Sequence, residues 1–221
     1  MLSMTPSLLF SFKETNHPLV AGVRAQLHEF CAERPLHARF LNMLSLLEHI
    51  GSRKIMTSRA MREPDLDGLK HLAEEARHAL FFKRAAERTA MQPLDYSTKN
   101  TIAAAAARFY MGRLDVEISR NLAGYTPVLS YLYMSLIVEL RAVWLYGIYQ
   151  LVLMERKIGV TLKSILAEEE LHLNAMVARL REIDRSADSR IALFREFEAV
   201  RFRSLWSEIE EECAVHRLAA E

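Results

Sequence analysis

The heptapeptide Leu-Ala-Glu-Glu-x-x-His occurs twice in this chain, at positions 72–78 and 166–172. Each copy contains Glu-x-x-His, as Glu75 with His78 and as Glu169 with His172. Residues three apart on an α-helix project from one face, so a single turn offers a carboxylate and an imidazole to the same point. Upstream of each copy stands one more acidic residue inside an otherwise apolar helical stretch: Glu48 in Asn42-Met43-Leu44-Ser45-Leu46-Leu47-Glu48-His49-Ile50, and Glu139 in Met134-Ser135-Leu136-Ile137-Val138-Glu139-Leu140. The order Glu, Glu-x-x-His, Glu, Glu-x-x-His demands four helices that turn these side chains toward a common interior.

Apolar residues flank each of the four glutamates at helical spacing, so each is expected to face inward: Leu41, Leu44 and Ile55 around Glu48, Leu72, Ala79 and Phe82 around Glu75, Leu132, Leu136 and Ala142 around Glu139, and Ile165, Leu166 and Met176 around Glu169. Glu74, Glu168 and Glu170 are expected in solvent. Four inward carboxylates and two imidazoles make a poor core unless something cationic joins them. Two ferrous ions carry the four positive charges that would neutralise four glutamates. Carboxylates also bridge two metals at roughly 3.5 to 4 Å, and imidazole completes each coordination sphere while leaving positions open.

The chain of 221 residues, 51% apolar and 26% charged, suits one soluble domain with a sizeable core. With 29 basic and 28 acidic side chains the net charge is +1, which recommends neither nucleic acid nor an anionic membrane surface as a partner. Cys31 and Cys213 form no motif, and residues 1–17 do not read as a signal peptide, so a cytoplasmic protein is expected. The long apolar stretch 128–154 is interrupted by Glu139, Arg141 and Gln150 and is read as the central helix of a bundle rather than a membrane span.

Seven helices are predicted and no strands. They run from Pro18 to Glu33, from Leu36 to Met61, from Asp65 toward Arg88, from Ser97 to Leu122, from Pro127 to Arg156, from Thr161 to Ser186, and from Asp188 to near Ala214, behind a loose N-terminal lead-in. Glu48 and Glu75 lie equally far from the turn near Pro64, as an antiparallel pair requires. Glu139 and Glu169 have their midpoint near Met154, ahead of the turn signal at Gly159, so this second pair needs an early break or a stagger. Residues 91–126 are long enough to cross a bundle. Phe202, Trp206, Ile209 and Cys213 form a packing stripe on the last helix. Arg141, two residues after Glu139, is expected in a surface or inter-helix ion pair.

Over roughly residues 36–185 the chain resembles the ferritin-like di-iron carboxylate superfamily. The resemblance implies an all-α fold, a ferritin-like four-helix bundle with additional helices at both ends and in the crossover, as a single domain over 1–221. It implies Glu48, Glu75, His78, Glu139, Glu169 and His172 as ligands of two iron ions, or of a manganese and iron pair, with Glu75 and Glu169 bridging. The segment Glu139-x-x-Ala142-x-x-x-Tyr146-x-Ile148-Tyr149 is similar to the corresponding helix of aldehyde-deformylating oxygenases, which would make Tyr146 a hydrogen-bonding or gating group; a core aromatic fits that position equally. His71, one turn before Glu75, is either a further ligand, as in some ferritin-like N-oxygenases, or a neighbour of the ligands.

Two functions follow from the resemblance. One is a non-haem di-iron oxygenase or oxidase that takes dioxygen as co-substrate and oxidises a small, apolar organic substrate. It would work as a monomer or homodimer and draw electrons from an external ferredoxin or flavoprotein reductase, since no rubredoxin-like cysteine site is present. The other is a ferroxidase that oxidises and stores or detoxifies iron with the same six ligands in a large closed shell.

Overall fold

The computed structural model describes residues 5–58 and 62–220, with backbone only at 5–7 and 216–220. Among the described residues there are seven helices and no strands: α1 (Thr5–Ala32), α2 (Arg34–Thr57), α3 (Leu66–Ala90), α4 (Ala104–Asn121), α5 (Pro127–Glu155), α6 (Lys163–Ile183) and α7 (Ala187–Ala220). The expected all-α class holds. The chain forms two compact units, one made of the chain up to Ala32 with Leu132–Arg195, the other of Glu33–Tyr131 with the chain from Glu196 on.

In the second of these units α2 packs on α3 and α4. Pro35 lies in the first turn of α2, where its missing N–H costs no hydrogen bond, so it opens this helix as well as closing α1. The predicted extension of α2 to Met61 falls partly outside the described residues; the helix itself ends at Thr57. Asp65 caps α3, accepting a hydrogen bond from the Gly68 amide at 2.8 Å, and Met91 in the left-handed region (φ 58°) ends it. The Ser45 hydroxyl donates to the Ala79 carbonyl at 2.8 Å, which fixes the antiparallel register of α2 and α3 one turn from Glu48 and Glu75. α4 starts at Ala104, not at Ser97. The missing turns are replaced by a polar knot in which Asp95 accepts from the Ser97 amide and Asn100 side chain, and the Asn42 amide donates to the Asp95 and Asn100 carbonyls. The Lys83 ammonium closes it by donating to Asn42 Oδ1 at 3.0 Å while lying over the Tyr96 ring. Asx hydrogen bonding of this kind competes with a helical start.

In the other unit α1 begins at Thr5, so the expected loose lead-in is helical from there on and Pro18 lies inside the helix. Just before that proline the Asn16 amide and the Thr15 hydroxyl donate back to the carbonyls of Phe12 and Ser11. α1 runs parallel to α5, as the pairs Asn16 with Arg141 and Arg24 with Glu155 require. Arg141 is not at the surface: it is buried, donates to Asn16 Oδ1 at 2.8 Å and lies over the rings of Phe12 and Trp144. α5 is the one helix among the described residues long and apolar enough to cross a membrane, and 67% of its most apolar stretch is buried, as in the core helix of a soluble protein. α7 extends to Ala220, beyond the expected end near Ala214, and its residues from Glu196 on, among them the buried Phe202, Trp206, Ile209 and Cys213, belong to the unit of α2, α3 and α4.

Candidate metal centre

On α3 the buried face reads Gly68, His71, Glu75, His78, Phe82 and Ala85, at the spacing of one helical stripe. Its inward positions are polar over two turns, whereas Leu69 is 49% exposed. α2 contributes Glu48, also buried. Glu48, Glu75 and His78 each offer a ligand atom within 4.8 Å of the others. Glu75 Oε1 lies 4.0 Å from His78 Nδ1 and 3.6 Å from His71 Nε2, is buried, and accepts no hydrogen bond. A methyl group added at Gly51 would stand 3.2 Å from Glu75 Oε2, so the bare glycine on α2 makes room for this carboxylate. His71 Nδ1 is hydrogen-bonded to the Tyr131 hydroxyl at 2.6 Å.

The second cluster belongs to α5 and α6. Glu139 and Glu169 are buried, and His172 retains 13% side-chain exposure. His172 Nδ1 lies 3.7 Å from Glu139 Oε1 and 3.5 Å from Glu169 Oε2. The stagger expected of this pair has a structural cause in the connection. Gln150 Oε1 accepts from the Leu162 amide at 2.6 Å and from the Thr161 hydroxyl at 3.3 Å, so the loop folds back along α5 and α6 starts level with Gln150. From Leu162 to His172 is about 15 Å of helix, and from Gln150 back to Glu139 about 16 Å. His172, not Glu169, is therefore level with Glu139, and the two meet across the helices.

The spacing of these atoms bears on what they can hold. A protonated imidazole beside a carboxylate closes to about 2.7 to 2.9 Å. Two donors that share one cation at about 2.1 Å each stand about 3.0 to 4.2 Å apart, depending on the angle between them. All four nitrogen–oxygen separations, 3.5 to 4.0 Å, fall in the second range. Glu48 and Glu75 are also two buried like charges in one cluster, which a cation offsets and a vacuum of charge does not. The residues present therefore fit a metal ion at Glu48, Glu75 and His78, and the His172 nitrogen stands at a metal-compatible separation from Glu139 and from Glu169.

Among the remaining acidic neighbours, Glu170 is exposed as expected, while Glu74 and Glu168 are half-buried, Glu74 lying near Lys70 and Arg77. Tyr146 is buried on α5, two turns beyond Glu139. Tyr131 has no counterpart in the sequence reading. Its signal is spatial, because nothing in the sequence pairs position 131 with position 71. Comparison with protein-family models, with curated proteins and with solved structures finds no match.

Proposed function

We propose that the chain is a ferritin-like non-haem di-iron oxygenase or oxidase acting on a small, apolar organic substrate, with Glu48, Glu75 and His78 from one cluster and Glu139, Glu169 and His172 from the other as its metal ligands. The observation that carries this reading is the spacing within both Glu-x-x-His turns, where buried carboxylate oxygens stand 3.5 to 4.0 Å from ring nitrogens. A bound pair of ferrous ions would supply the electrons that activate dioxygen. The chain's own residues have separate tasks. The four carboxylates neutralise the bound charge, so that the centre can stay buried in an apolar surround. Gly51 leaves room for the Glu75 carboxylate, which would help hold the ions. The apolar residues of α2 would exclude water from Glu48 and those of α5 from Glu139, and Tyr146, buried two turns beyond Glu139 on α5, would hydrogen-bond or gate. His172, the most exposed of the six, marks the side on which dioxygen or substrate would enter. Electrons for repeated turnover would come from a ferredoxin or flavoprotein reductase, and a cytoplasmic setting would suit two free cysteines.

Anaerobic loading with ferrous ion, followed by oxygen exposure under optical monitoring and a mass measurement of the assembly, tests the proposal. About two irons per chain, oxygen-dependent spectral change and a monomer or dimer are expected. A large closed shell that retains oxidised iron would establish the ferroxidase instead, and failure to bind ferrous or manganous ion would end both readings.

A further inference from the structure

We propose that the outer face of α3 is the docking site for an acidic amphipathic helix carried by another protein. Leu66, Leu69, Ala73, Ala76 and Leu80 follow one another at alternating spacings of three and four residues, the heptad rhythm of a seam between two helices, and all five are exposed. Leu66 is 81% exposed, Leu69 49% and Leu80 47%. His71, Glu75 and His78 occupy the opposite, buried face, so this seam is not the one that packs α3 into its own unit. A surface helix ordinarily turns its apolar stripe inward and its charges outward. A second apolar stripe, in solvent over about four turns, marks a surface that meets something else.

One flank of the seam is basic. Lys70, Arg77 and Arg84 stand four residues after Leu66, Ala73 and Leu80, each exposed beside its apolar neighbour, and Arg88 continues the row. The half-buried Glu74, 3.9 Å from Lys70 and 4.0 Å from Arg77, offsets only part of that charge. These charges select the occupant. Pairing α3 with a second copy of itself would set the basic row against its own copy if the helices ran antiparallel, and against Leu72 and Ala79 if they ran parallel. Neither arrangement supplies carboxylates. An anionic membrane would match the charge, but the middle of the seam is Ala73 and Ala76, too short to reach into a bilayer and suited to the close approach of another helix. A partner helix with leucines along its seam and glutamates on its rims fits both the saddle at the alanines and the basic row. Held there, it would lie about one helix diameter, roughly 10 Å, from His78. The proposal does not depend on the metal-centre reading.

The test titrates the full chain, labelled with nitrogen-15, with a synthetic peptide of three heptads that has Leu along its seam and Glu on both rims, and with a counterpart that has Lys on the rims. The acidic peptide is expected to bind, to shift the amide signals of residues 66–84, and to lose about tenfold in affinity between roughly 0.05 and 0.5 M salt. The Lys peptide is expected not to bind. Arg77→Glu combined with Arg84→Glu should weaken the acidic peptide by about tenfold and admit the Lys peptide. Ala73→Arg should block the acidic peptide. All three positions are exposed, and circular dichroism checks that the variants fold; the choice between the two peptides by the unaltered chain decides the matter even if a variant does not. Binding of both peptides equally, binding of neither, or shifts confined to other helices would overturn the proposal. So would a dimer in sedimentation that Ala73→Arg dissociates, which would assign the face to a second copy, or capture by phosphatidylserine vesicles without binding of the acidic peptide, which would assign it to a membrane.

Discussion

Substituting Gly51 by alanine should move two measurable quantities in opposite directions. Gly51 lies within α2, and replacing a mid-helix glycine with alanine ordinarily stabilises a protein by about 0.5 to 1 kcal/mol. The new methyl would stand 3.2 Å from Glu75 Oε2, closer than carbon and oxygen comfortably approach. Without metal, the end of a flexible carboxylate can shift by a few tenths of an ångström at little cost, so the gain in helix propensity survives. With metal, that oxygen is held by coordination and cannot shift without weakening it. A tenfold loss of affinity would be about 1.4 kcal/mol, and at a metal concentration 100 times the original dissociation constant the stabilisation by metal would fall from about 2.7 to about 1.4 kcal/mol. Urea denaturation of both proteins with and without manganous ion measures all four values. A Gly51→Ala protein that keeps the full metal-induced stabilisation, or that is destabilised when metal-free, would refute the argument that the glycine exists to accommodate the Glu75 carboxylate.

Three further outcomes are expected. Glu139→Ala should abolish oxygen-dependent turnover and weaken metal binding; unchanged metal content and oxidation kinetics would contradict the role of this carboxylate. Gln150→Ala leaves the Leu162 amide without its acceptor and should destabilise the chain by about 1 to 3 kcal/mol in urea denaturation, with weaker metal binding because His172 loses its level. Burial lowers the pKa of His37 from 6.5 to about 4. Its folded value lies below its unfolded value, so the neutral ring contributes stability that is fully present above pH 6.5 and is lost as the pH falls toward 4. The loss is about 3 kcal/mol at most, and the difference between the native chain and His37→Gln in denaturation curves from pH 7 to 4 should show it as a slope confined to that window.

The buried carboxylates and imidazoles of the candidate site were legible because their order along the chain is itself a pattern: two copies of Glu-x-x-His, each preceded by an isolated inward glutamate. Helix boundaries were legible where chemistry punctuates them, at Pro35, Asp65 and Pro127. They were not where a side-chain network decides, as at 95–101, because the partners of that knot, Asn42 and Lys83, come from distant parts of the sequence. Hydrophobic periodicity also misplaced part of the α3 face. It placed Leu72 beside an inward Glu75, but Leu72 is only half-buried, while the buried stripe runs through His71, Glu75 and His78. Where a helix turns its reactive groups inward, polarity no longer marks the outside, and apolar counting loses its reference. Arg141, expected in a surface or inter-helix ion pair, is buried beside Phe12, Trp144 and Asn16, and the cross-helix part of that setting, Phe12 and Asn16 of α1, is not paired with it by anything in the sequence.

The hydrogen bond from the Leu162 amide to Gln150 divides the second half of the chain into stretches with different tolerance for change in length. Residues between Arg156 and Val160 could be added or removed without altering which side chains face each other, so long as the loop still returns to Gln150. A single residue inserted between Leu162 and Glu169 would instead rotate the following helix by about 100° and carry Glu169 and His172 off their face together. Length variation among natural or engineered versions of this chain should therefore gather in the loop and stop at Leu162.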